Sequence, residues 1–60
     1  MQTKWIVNGA SGSWVMTEQE VAEFASQDFI EQIKADAQAS DTKRAKGWTG
    51  ERKVECAIIN

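Results

Sequence analysis

The sequence predicts an α+β fold of order ββαβ, one long helix laid on a three-stranded sheet. Three observations carry that expectation. Two β-branched and aromatic runs flank a Gly-rich connection, a capping box opens a stretch of helical periodicity, and the last residues alternate as a strand.

The first two runs are "KWIVN" at 4–8 and "SWVMT" at 13–17, joined by "GASG". A short Gly-rich connection of this kind closes a β-hairpin. Pairing Asn8 with Ser13 sets Val7 opposite Trp14, Ile6 opposite Val15 and Trp5 opposite Met16. Alternation then places Trp5, Val7, Trp14 and Met16 on one face, with Ile6 and Val15 on the other.

The segment "TEQE" at 17–20 is a capping box, in which Thr17 and Glu20 each satisfy the other's backbone N–H. The helix it opens is expected over about 18–38. At 100° per residue Val21, Ala22, Ala25, Phe29, Ile33 and Ala37 share one half of the wheel, opposite Glu20, Glu23, Gln27, Glu31 and Lys34. Phe24 falls outside the apolar stripe. Either the helix bends near Ser26, with Asp28 capping a second segment, or Phe24 covers a sheet edge.

After Ala39 the chain turns polar, and periodicity returns in "ERKVECAIIN", where Val54, Cys56 and Ile58 alternate with Glu55, Ala57 and Ile59. This predicts a strand over about 52–59. An alternative pairs "TKRAK" with "RKVEC" around "GWTG" as a second hairpin, giving a small β-grasp-like ββαββ fold. With almost no apolar content, "TKRAK" fits only an edge strand. One helix covers one sheet face, so Ile6, Val15, Ala57 and Ile59 are expected on the other. They form a candidate self-association face unless the 40–50 segment folds Trp48 over them.

Sixty residues allow a single small domain, 1–60, expected to be complete since it opens on Met and closes on a strand. A domain of this size buries only about 60% of its unfolded surface. With one Cys and no His, neither an internal disulfide nor a Cys/His zinc site can reinforce it. Three Trp and two Phe supply the core instead. No apolar run approaches the roughly 18–20 residues that span a bilayer, and the N-terminus lacks the apolar core of a signal peptide. A cytoplasmic protein without metal or cofactor is expected.

The charges are sorted along the chain. Residues 18–41 hold seven of the nine acids (Glu18, Glu20, Glu23, Asp28, Glu31, Asp36, Asp41) against Lys34. Residues 43–53 hold five of the seven bases (Lys43, Arg44, Lys46, Arg52, Lys53) against Glu51, and Trp48 sits among them.

Catalytic readings find little support. "GASGS" lacks the Lys of a phosphate-binding P-loop and leads into a strand, not a helix. "TGERK" at 49–53 is similar to the linker between tandem zinc fingers, but there is no finger to link. Cys56 lies on an apolar strand and, with no His in the chain, has no general base to activate it. Glu20 and Glu23 face solvent, and no Ca²⁺-loop spacing occurs.

The stretch "KRAKGWTGERK" remains. Trp and Arg are enriched at protein-interface hot spots, while Trp with Lys and Arg also suits nucleic acid. The acidic net charge of −2, and an acidic helix placed to repel a phosphate track beside the loop, put protein first. The expectation is a non-enzymatic regulator, an inhibitor or adaptor of the kind phages and mobile elements carry. It would occupy the surface of a larger host or cognate protein, with Trp48 as anchor and Lys43, Arg44, Lys46, Arg52 and Lys53 as a basic rim. A nucleic-acid-binding module using 43–53 is the alternative.

Overall fold

The computed structural model describes residues 2–59. Four strands, β1 (Gln2–Gly9), β2 (Gly12–Met16), β3 (Arg44–Thr49) and β4 (Arg52–Ile59), form one sheet of order β2-β1-β4-β3. Two helices, α1 (Glu18–Val21) and α2 (Gln27–Ala39), cover one face. Every pairing is antiparallel.

The hairpin β1–β2 has the register expected from its sequence, from Trp5 opposite Met16 to Asn8 opposite Ser13. At its end the Ser13 hydroxyl donates to Asn8 Oδ1. The capping box at Thr17 and Glu20 is also formed, with Thr17 N donating to Glu20 Oε1 at 2.9 Å and Glu20 N to Thr17 Oγ1 at 3.2 Å.

The three-stranded ββαβ arrangement needs correction, because residues 44–49 form the fourth strand. Its inward positions are Ala45, Gly47 and Thr49, facing Cys56, Val54 and Arg52 of β4. The turn is Gly50–Glu51, two residues later than "GWTG", so Trp48 lies within the strand. Gly50, at φ 63°, supplies the left-handed first turn position that a Cβ would disfavour. The antiparallel central pair β1–β4 also departs from a β-grasp, in which the two central strands run parallel.

That antiparallel pair explains the second correction, to the continuous helix over 18–38. Strand β2 ends and β3 begins at the same end of the sheet, so the connection must go out and return. An unbroken helix of that length, about 30 Å, would deliver the chain to the wrong end. The helix instead stops after Val21 and restarts at Gln27, where Ser26 rather than Asp28 is the N-cap, its Oγ accepting from Phe29 N at 3.1 Å. Phe24 sits in the turn, packed against the core with the Arg52 guanidinium carbon 4.6 Å above its ring centroid.

The core joins Trp5, Val7, Val54 and Cys56 of the sheet to Val21, Ala25, Ile30, Ile33 and Ala37. The break rotates the buried stripe of α2: Ile30, outside the expected set, is fully buried, Phe29 is half-buried, and Ala22 is exposed. Trp5 Nε1 donates to Thr3 Oγ1 at 3.0 Å, which satisfies the polar atom of the largest buried side chain. Among the described residues, no helix is long and apolar enough to cross a membrane.

Candidate functional site

Strand alternation decides which residues share the face without helices. Registers running across the sheet place Trp48, Lys53, Asn8 and Ser13 in one row and Lys46, Glu55, Ile6 and Val15 in the next. Arg44, Ala57 and Lys4 follow, then Ile59 and Gln2. The basic cluster and the apolar set, separate in sequence, therefore interleave on one surface.

Trp48 is 67% exposed and is not folded over Ile6, Val15 and Ile59, although it shares their face. Val15 and Ile59 are exposed, Ile6 is half-buried and Ala57 is buried. Ile6 lies beside Val15 and diagonal to Ala57, which makes an aliphatic strip from β2 to β4. Arg44 and Lys46 accompany Trp48 along β3, an open edge whose charges also discourage pairing with another sheet. Lys53 lies directly across from Trp48.

Two of the expected rim residues are elsewhere. Lys43, at φ 59°, turns back to the end of α2, where its Nζ donates to the Gln38 carbonyl at 2.9 Å while its own carbonyl accepts from Ile58 N. Arg52 is on the helix side over Phe24. Both residues serve the fold: Arg52 leaves the set by the alternation of β4, and Lys43 because it stands before β3 in a left-handed bend. Lys4, absent from the expected set, joins it, since it alternates with the buried Trp5. Lys4, Arg44, Lys46 and Lys53 make no ion pair with another described residue.

The acidic residues are on the far side. Glu18, Glu20 and Glu23 belong to α1 and its turn, and Asp28, Glu31 and Asp36 to α2. A helix is about 10 Å across, whereas screening at physiological ionic strength acts over about 8 Å. The helices therefore contribute less to the potential over the outer sheet face than over their own side of the sheet. On that face Glu55 is the carboxylate carried by the strands, and Glu51 of the β3–β4 turn borders it beside Trp48 and Lys53, against the cations Lys4, Arg44, Lys46 and Lys53.

Within the helical layer Lys34 bridges Glu18 at 3.3 Å and Glu31 at 3.7 Å. Its hydrogen bond to Glu18 raises the ammonium pKa, partly offset by desolvation. Burial pushes the Cys56 thiol up, and the side chain is fully enclosed in the core. Among the described residues no three of His, Cys, Asp or Glu gather as metal ligands.

Fold and surface define a small α+β protein with one face packed and one face open. In comparisons with protein-family models, curated proteins and solved structures, the chain has no significant match.

Proposed function

We propose that this chain is a small protein-binding regulator, an inhibitor or adaptor that seats its outer sheet face on an acidic surface of a larger protein. The observation that carries the reading is Trp48, two-thirds exposed on a helix-free face and flanked by Arg44, Lys46 and Lys53. A large aromatic anchor within a cationic rim fits a pocket on an acidic partner, the rim steering the encounter. Aliphatic Val15, Ile6 and Ile59 extend the contact beyond the anchor.

The test is capture from lysate of the source cells. Wild type and Lys43→Ala should retain a protein that Trp48→Ala and Lys46→Glu lose by about tenfold or more. Equal capture by a folded Trp48→Ala variant would sink the reading.

The same face bears on self-association through Ile6, Val15, Ala57 and Ile59. Two copies stacked on these residues would oppose Lys4, Arg44, Lys46 and Lys53 to a second such set. A homodimer of this kind should be weak at low salt and gain from added salt, as sedimentation would show.

One observation favours a second reading, nucleic acid: the acidic helices lie behind the sheet and away from the basic face. Against it, this face offers one exposed aromatic and places Glu55 at its centre. A gel shift that weakens steeply with salt would favour this alternative, while no shift with single- or double-stranded DNA or RNA would remove it.

A further inference from the structure

On the helix side of the sheet, β2 is left uncovered. Helix α2 packs over β3 and β4 and α1 over β1, so Trp14, on the helix side of β2, stays 46% exposed. Its ring lies along Gly9, with Cζ3 3.6 Å from where a Cβ on that glycine would stand. Trp14, Val7 and Met16 floor a cavity of about 510 Å³, and Phe24 from the α1–α2 turn walls it. This volume is within the range of small-ligand sites.

The rim supplies the chemistry. Glu20, Glu23 and Glu51 line it, against the single cation Arg52. The carboxylates of Glu23 and Glu51 make no hydrogen bond or ion pair with another described residue, and Glu20 is committed to the capping box through Oε1. Arg52 already holds its guanidinium over Phe24, which leaves the Trp14 face open across the same cavity.

We propose that this slot receives an arginine side chain from a partner polypeptide. A guanidinium is planar and weakly hydrated, so it stacks on an indole while its edge donates to carboxylates. The Arg52–Phe24 contact is the same pairing made within the chain. Three carboxylates exclude an anionic ligand, and a lysine ammonium lacks the flat face that the indole rewards. The slot opens on the helix side and takes nothing from Trp48 itself, although Gly9, Ala10 and Glu51 at its end also border the hollow that Trp48, Asn8 and Lys53 line.

The test follows the indole N–H resonances of the tryptophans while N-acetyl-glycyl-arginyl-glycinamide is added. The Trp14 signal should move saturably, with an affinity on the order of 1 mM for one stacked, charge-paired side chain, and the Trp48 signal should stay in place. The citrulline peptide, a neutral isostere, should leave Trp14 unmoved, and the lysine peptide should bind several-fold more weakly. Glu23→Gln, at an exposed position outside the capping box, should weaken the arginine peptide about threefold with unchanged thermal stability. A still Trp14 signal, movement at Trp48 alone, or equal responses to arginine and citrulline would overturn the proposal. Equal binding of arginine and lysine would overturn the assignment to arginine.

Discussion

Ile33 Cδ1 lies 2.8 Å from the point where a Cβ on Gly47 would stand, and the Phe29 ring approaches that point to 3.1 Å. Helix α2 therefore rests directly on the backbone of β3, and glycine is the residue that lets it. Ile33 is 4% exposed and has little room to withdraw.

Gly47→Ala should therefore destabilise the protein by about 1–2 kcal/mol, the usual cost of overpacking, despite the better strand propensity of alanine. Urea midpoints measure it. Pairing the change with Ile33→Val should recover part of the loss, whereas simple additivity would show that the clash is relieved elsewhere.

The three tryptophans should separate by burial. Trp5 is fully buried, and Trp5→Ala should cost about 3–5 kcal/mol, enough to unfold much of a domain this small. Trp48→Ala should stay within about 0.5 kcal/mol of wild type. Thermal melts of the two variants rank them, and a large loss at Trp48 would mean that its indole supports the sheet.

Ser26 starts α2 by accepting from Phe29 N. Ser26→Ala should cost about 1 kcal/mol without fusing the helices, because the return of the chain to β3 still demands a break. Ser26→Asp should retain most of the stability. Amide exchange at Phe29 reads the cap directly, and unchanged protection in Ser26→Ala would show that the hydrogen bond contributes nothing.

Alkaline pH should weaken the fold through two groups of the same sign. Folding raises the Cys56 thiol by burial, with a smaller push from Glu18 and an opposing pull from Lys34. The native state thus holds this proton more tightly. Its contribution is whole below the unfolded thiol value, about 8.5, and is lost as pH rises from there through the folded value. Lys34, raised by its hydrogen bond to Glu18, follows the same rule in a higher window above about 10.4. Urea midpoints taken upward from neutrality should fall first through Cys56, and Cys56→Ala should flatten that first decline.

The hairpin β1–β2 was readable to the residue, since a two-residue loop between β-branched runs leaves Asn8 opposite Ser13 and little freedom beyond. The capping box was equally explicit. Strand β3 was hidden because its inward residues, Ala45 and Gly47, are small where α2 presses on them, so no apolar alternation announced it. Phe24, the misfit on the helical wheel, was the visible trace of the break, but the break itself follows from sheet topology, a property of distant strands. Reading the basic stretch as a loop placed Lys43 and Arg52 beside Trp48. With a strand's alternation Arg52 leaves that face, Lys43 stays outside the strand in its left-handed bend, and Lys4 enters from the other end of the sequence.

The two innermost strands, β1 and β4, come from opposite ends of the described chain, and the edges come from nearer its middle. Each hairpin can close locally, but neither has a core until the two meet along Val7–Val54 and Trp5–Cys56. Closing nearly the whole chain into one loop thus precedes any reward from burial. The ends that most domains can shed are here the keystone: trimming several residues from either side removes the seam that joins both halves, whereas lengthening the Gly50–Glu51 turn disturbs only a rim.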